Sequence, residues 1–224
     1  MKSYIILLFL LATGLSSTFA QDKPSAEKAR ASYVKVISQR ADKIVAAMDV
    51  ADSVKAKKVS AIIRDQYDDL NDIYTERDAA VKAIKLANKD DKAALTAALD
   101  EKNKKVDAEL AKLHKKYIKK LSSKLSAEQV DKVKDGMTYG VLPLTYRAYQ
   151  EEILTLTEDQ KKQIYVWLTE ARERAMDAES SDKKHAWFGK YKGRINNYLS
   201  AAGYDLKKEG QEWEKRRKAS AQNK

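Results

Sequence analysis

Between residues 25 and 135 the chain contains neither glycine nor proline and is rich in Ala, Lys, Leu, Asp and Glu. Over such a length that composition predicts helix. The apolar positions carry the same period. Tyr33, Val36, Ile37, Ile44, Val45 and Met48 recur at helical spacing over residues 26–48. Asp52 or Ser53 can cap a second helix, along which Val59, Ile63, Tyr67, Leu70, Tyr74, Arg77, Val81 and Ile84 step by threes and fours. A turn is predicted at residues 88–91. Beyond it the stripe resumes with Leu95, Leu99, Lys102, Val106, Leu110, Leu113, Tyr117 and Leu121. Narrow, heptad-like stripes bury a seam between two long antiparallel helices, each reaching roughly 40 Å at 1.5 Å per residue. Arg77 and Lys102 interrupt the stripes at their midpoint, so the outer hairpin is expected to splay or to accept a partner.

The remainder of the chain is patterned differently. Leu125-Ser126-Ala127-Glu128-Gln129 and Leu156-Thr157-Glu158-Asp159-Gln160 share the form Leu-[Ser/Thr]-x-x-Gln. Each is a capping box, in which the hydroxyl and the Gln side chain satisfy each other's free backbone N–H groups. Leu125 can also staple onto Val130. Between the boxes, residues 136–146 carry no charge. Here Gly136 is expected to stop a helix and Pro143 to turn the chain. This segment packs on the core or, alternatively, forms a ligand wall in which Tyr139, Tyr146 and Arg147 offer rings and donors. A helix is predicted over about 157–178, with Tyr165, Trp167 and Leu168 turned inward. Another ends at Gly203, its core face Phe188, Tyr191, Ile195, Leu199 and Ala202. The fold class is therefore all-α: a leading helix and long hairpin over 21–124, packed with an aromatic-rich helical subdomain over 125–208 that is expected to form one continuous domain with it. Residues 209–224, including Trp213-Glu-Lys-Arg-Arg-Lys218, form a basic tail expected to be a frayed helix end.

The N-terminus changes the compartment. Met1-Lys2 precedes an apolar run at 4–12, and small residues around 16–20 allow a cut before Gln21, the pattern of a secretory signal peptide. Gly14 to Thr18 dilute the run too early for a retained anchor. An exported protein, soluble in the periplasm or outside the cell, is expected. The absence of Cys excludes a lipid-anchoring cysteine, disulfides and thiolate chemistry. Two histidines, His114 and His185, leave little with which to build a metal site, and no cofactor is expected.

Charge narrows the partners. The 224-residue chain carries 44 Lys+Arg against 33 Asp+Glu, net +11, or +10 without residues 1–20, since Lys2 is the one charge removed. Asp65, Asp68, Asp69, Asp72, Glu76 and Asp78 should face Lys102, Lys104, Lys105 and Lys112 across the hairpin. Lys55, Lys57 and Lys58 should meet Lys115, Lys116, Lys119, Lys120 and Lys124 with no acidic answer. That end is either a solvated face or a patch for an anionic partner. Export argues against nucleic acid as the physiological partner.

Aromatic residues are skewed toward the second half, most densely in residues 183–198. On a helix, Trp187, Lys190, Arg194 and Asn197 share one face, and His185, Gly189, Lys192, Gly193 and Asn196 another. Two glycines inside a helix cost about 1 kcal/mol each relative to Ala. Close approach of another helix would explain them, and close approach of a ligand is the alternative. Rings beside amide and guanidinium donors suit sugars or nucleobases. The candidate ligand-binding residues are Tyr139, Tyr146, Arg147, His185, Trp187, Lys190, Lys192, Arg194, Asn196 and Asn197.

Two resemblances bear on this. The paired Leu-[Ser/Thr]-x-x-Gln boxes resemble those of small periplasmic helical chaperones related to Spy and CpxP. The blocks 134–141 and 184–205 resemble a family of exported Bacteroidetes proteins, a domain of unknown function described as sugar-binding, with the likeness extending over 30–208. That resemblance implies glycan work in polysaccharide-using bacteria and brings no catalytic residues. Three functions follow as expectations. The first is a non-catalytic glycan-binding or accessory protein for acidic oligosaccharides or polysaccharides, with Lys190, Lys192 and Arg194 pairing uronate carboxylates and Trp187, Tyr139 or Tyr146 stacking on rings. The second is a chaperone acting on client proteins, which requires an exposed apolar concave face. The third is an acidic-sugar lyase or hydrolase using His185 with Tyr191 or Arg194. Glu173 and Asp177 also share one helix face, but carboxylates four residues apart on a charged helix are usually solvent-facing.

Overall fold

The computed structural model describes residues 25–48 and 50–222. The signal peptide predicted for residues 1–20 lies outside the described residues. Among the described residues there are eight helices and no strand: α1 Ala26–Ala46, α2 Ser53–Ala87, α3 Lys92–Ser122, α4 Ala127–Met137, α5 Val141–Glu152, α6 Glu158–Met176, α7 Ser181–Ala201 and α8 Leu206–Gln222. No helix among them is long and apolar enough to cross a membrane.

The hairpin is α2 and α3. The side chain of Asp52 accepts from the amides of Val54 and Lys55, and that of Asp91 from those of Ala93 and Ala94, so both arms start on a carboxylate cap. With 35 residues, α2 is about 52 Å long at 1.5 Å per residue. Its buried positions Val59, Ile63 and Leu70 belong to the proximal part, whereas Leu86 near the tip is 77% exposed. Both capping boxes form: Ser126 and Gln129 open α4, and Thr157 and Gln160 open α6. Leu125 and Val130, the predicted staple, are buried in one cluster.

Burial divides into two clusters. One is aliphatic, joining α1, α2, α3 and α4 around Ile44, Ile63, Leu121 and Val133, with Tyr117 its one buried ring. The other joins α5, α6 and α7 around Ile164, Leu168, Phe188 and Ile195, and is clad in half-buried aromatics: Tyr146, Trp167, Trp187, Tyr191, Tyr198 and Tyr204. The halves therefore keep separate cores, although Met176 at the end of α6 reaches into the first.

Several local expectations are corrected. Gly136 does not stop α4; it lies inside the helix, where an added Cβ would stand 2.9 Å from Ile44 Cγ1. Its role is to let α1 approach. The stop comes three residues later, with Tyr139 (φ 59°) and Gly140 (φ 66°) both left-handed and Gly140 N–H donating to Asp135 O at 2.8 Å. This is a Schellman closure whose left-handed position is held by tyrosine instead of glycine. Pro143 sits in the first turn of α5, where its missing N–H costs nothing. Within the uncharged segment Met137, Thr138 and Leu142 are buried, but Tyr139 and Leu144 are exposed. Tyr165 is likewise 43% exposed, and Ala202 lies on the surface past the end of α7. Gly203 closes α7 as expected, at φ 94°. Among the described residues nothing approaches within 4 Å of a Cβ built on Gly189 or Gly193, so no described helix packs there.

Residues 209–222 are also helical and docked where a frayed tail was expected. They continue α8, which lies along α5: Arg216 donates to the carbonyls of Glu151 and Glu152 at 2.8 and 3.0 Å, and Arg217 covers the Trp213 ring at 5.1 Å. These carbonyls end α5 and need donors, which explains why a basic helix docks there.

Candidate functional site

The hairpin meets the aromatic half across a cleft of about 760 Å³. Tyr74 of α2 stands on one wall and Trp187 and Tyr191 of α7 on the other, with His114 of α3, Glu173 of α6 and Asp177 just past the end of α6 between them. The cleft is positioned by bonds to the end of α6. Tyr74 donates its hydroxyl to the Asp177 carbonyl at 2.8 Å, and Arg77 pairs with both Asp78 and Glu179. The Arg77 guanidinium also stacks over Tyr74, 4.7 Å from the ring centroid. Arg77, the residue that broke the hairpin stripe, therefore reaches a partner within the same chain. Lys102, the other interruption, pairs with Glu76 at 3.0 Å.

The floor is an ion network. His114 Nδ1 lies 2.6 Å from Asp177 Oδ2, and Nε2 lies 3.4 Å from Glu173 Oε2. Lys134 of α4 holds Glu173 at 2.9 Å, while the buried Arg172 reaches Asp131 and Asp135 of α4 at 2.6 and 2.8 Å. Carboxylates at both ring nitrogens, Asp177 first and then Glu173, raise the His114 pKa to about 9. Burial pushes Glu173 up, but His114 and Lys134 outweigh it and hold its pKa at about 2. At neutral pH the imidazole is a locked cation and Glu173 a locked anion. Neither is poised to move a proton. Glu173 and Asp177 are thus not solvent-facing, contrary to the expectation from their spacing.

The sequence-derived candidates do not converge on one site. Trp187 lines the cleft, and Lys190 covers its ring at 5.2 Å. Arg194 lies 4.5 Å over Trp167 and reaches Glu170, on the cleft rim, at 3.7 Å. Tyr139 stacks on His185 with centroids 5.6 Å apart, at the mouth of a second cleft. Tyr146 meets Tyr165 edge-on at 5.2 Å. Lys192 and Asn196 line a third cavity, against α5, where Asn196 accepts from the Tyr149 hydroxyl at 2.7 Å. Arg147 and Asn197 stand exposed.

His114 and Tyr74 were missed as site residues, and Glu173 and Asp177 were weighed only for the lyase or hydrolase reading. The signal for His114 was faint: it sits beside Leu113 and Tyr117, one step off the buried stripe. The proximal lysines of the hairpin behave as their spacing indicated. Among the described residues none of Lys55, Lys57, Lys58, Lys115, Lys116, Lys119, Lys120 or Lys124 forms an ion pair. The acidic stretch of α2 is less tied to α3 than expected. Glu76 pairs across the hairpin, but Asp68 goes to Arg30 of α1 at 2.6 Å.

No curated protein matches the chain. Residues 34–219 match the family described as protein of unknown function (DUF3826), and the chain belongs to that family.

Proposed function

We propose that the protein is an exported, non-catalytic glycan-binding or accessory protein that takes carboxylate-bearing glycans in the cleft between the hairpin and α6–α7. The observation that carries this reading is the pairing of ring-bearing walls with a fixed polar floor. Tyr74, Trp187 and Tyr191 face a volume within the range of small-molecule sites, roughly 300–1,000 Å³. Rings offer the apolar faces of sugars a surface, and Arg174 and Lys115 supply donors around them. Lys115 belongs to the unpaired basic end of the hairpin, and the net charge of +10 left without residues 1–20 favours an anionic partner. The likeness to exported Bacteroidetes proteins described as sugar-binding points the same way.

The locked ion network argues for binding over catalysis, because His114 at about 9 and Glu173 at about 2 are both far from the range of a useful acid or base. His185, the base of the hydrolase reading, is stacked on Tyr139. The chaperone reading needs a continuous apolar face. The exposed large apolar residues are spread over α1, both ends of α2, the α4–α5 and α5–α6 turns, α5 and α6, which gives that reading no support. Calorimetric titration with neutral and uronate-containing oligosaccharides, at low and moderate salt, tests the proposal. Selective, salt-weakened uronate binding that falls at least about tenfold in Arg174→Ala is expected. Equal heats with every polyanion would contradict it.

A further inference from the structure

A second cleft, of about 490 Å³, adjoins the first and lies between α1, α2 and the start of α7. It shares Tyr74 and Ala178 with the first, and Tyr33, Arg40, Tyr67, Tyr139 and Lys184 also line it. Three observations single it out. Tyr139 occupies the left-handed closing position of α4, which glycine fills at no steric cost and a tyrosine fills only with strain. That strained backbone holds its ring half exposed at the cleft, braced by the stacked His185. Tyr67 is the second. Its carbonyl receives the Tyr33 hydroxyl at 2.9 Å, but its own hydroxyl has no hydrogen-bond partner among the described residues. Burial raises its pKa to about 12, so it is a neutral donor at any physiological pH. The third is Arg40, which forms no ion pair among the described residues yet acts electrostatically on both Tyr67 and Lys184.

The lining also contains acids, Asp78 and Glu179, but both are committed to Arg77. The ammonium of Lys184 is likewise committed, donating to the carbonyls of Ala175 and Met176 at 3.0 and 2.9 Å. What is left for a ligand is a guanidinium, a phenol donor, the amide of Asn71, the hydroxyl of Thr75 and aromatic faces. A guanidinium pairs with a carboxylate through two parallel bonds, and rings suit the apolar face of a pyranose.

We infer that this second cleft is a separate binding site for a carboxylate-bearing sugar ring, with Arg40 pairing the carboxylate, Tyr67 donating to it and Tyr139 stacking on the ring. The inference rests on the glycan reading above but not on the first cleft. The test is amide chemical-shift mapping of the full chain with galacturonate, with galactose as the uncharged ring and acetate as the carboxylate without a ring. Shifts at Tyr67, Asn71, Thr75 and Ser181 with galacturonate alone are expected, lost in Arg40→Ala and weakened severalfold in Tyr67→Phe. Both variants should keep the native thermal midpoint, since neither side-chain group removed has a partner among the described residues. Equal shifts with acetate would make the cleft a simple anion site and overturn the sugar assignment. Galacturonate shifts confined to Ala111, His114 and Trp187 would overturn the second site and leave the first. Shifts confined to the second cleft would sink the first-cleft reading instead. No shift in either cleft would sink both.

Discussion

The two halves of the molecule solve burial in different ways. Around α1–α4 the core is aliphatic and sealed: Ala41, Val59, Ile63, Leu121 and Val133 are fully buried. Around α5–α7 the innermost residues are equally sealed, but the shell about them is aromatic and left half open, with cations lying over the rings of Trp167 and Trp187. An aliphatic shell would gain little from partial exposure. A ring gains contact on one face and keeps the other available. The contrast teaches that the first half is a scaffold and the second a surface, and that the ion network from His114 to Lys134 holds one against the other.

The sharpest way to break this comparison is to damage one core and watch the other. Leu168→Ala should cost about 2–5 kcal/mol. Hydrogen exchange should then show lost protection in α6 and α7 with the hairpin amides largely retained. Uniform loss across both halves would mean a single cooperative core. Next in size is the joint itself. His114→Ala leaves two carboxylates facing each other and should destabilise by about 2–4 kcal/mol.

The pH dependence of the joint has a defined sign. The folded pKa of His114, about 9, stands above the ordinary 6.5, so its contribution is complete below about 6.5 and is lost as pH rises through 9. At pH 7 it amounts to at most about 2.5 kcal/mol. Glu173 contributes from the other side: its pKa of about 2 against 4.5 means that stability is lost as pH falls below 4.5 toward 2. Both shifts describe one shared network, so their energies do not add. Denaturant midpoints of wild type and His114→Ala between pH 6 and 10 should converge at the alkaline end. Parallel curves would show that the imidazole is not the cation of the joint.

Glycines give the smallest effects, and ones of opposite sign. Gly136→Ala drives a methyl to 2.9 Å from Ile44 and should cost about 1–3 kcal/mol. Gly189→Ala and Gly193→Ala meet nothing within 4 Å and should each stabilise by about 0.5–1 kcal/mol. If either of the latter lowers glycan affinity without lowering the thermal midpoint, a ligand approaches that face of α7.

Much of the scaffold was legible in the sequence. The hairpin, its turn, both capping boxes and the stop at Gly203 follow from periodicity and local hydrogen-bonding rules, which act within a few residues. What was not legible depends on elements far apart in the chain. Gly136 has the same local signature whether it ends a helix or admits Ile44, and only the α1–α4 crossing decides between them. Glu173 and Asp177 have the spacing of a solvated helix face, and only the placement of α3 turns them into a clasp on His114. The aromatic block at 183–198 stands out in composition. Its residues nevertheless diverge around α7 into three cavities, because a helix surface that presents many rings need not present them to one place.

Under the proposed reading the glycan occupies the cleft between the hairpin and α7, and two tryptophans of the aromatic half put that proposal to the test. Trp187 lines that cleft, whereas Trp167 packs on Tyr198 at 5.2 Å, under Arg194. Affinity for a uronate oligosaccharide should be measured by calorimetry for the intact protein and for Trp187→Ala and Trp167→Ala, each checked for a native thermal transition. The account predicts a loss of about 1–3 kcal/mol in Trp187→Ala, the size of one stacking contact, and near-native affinity in Trp167→Ala. Native affinity in Trp187→Ala, or equal losses in the two variants, would contradict it.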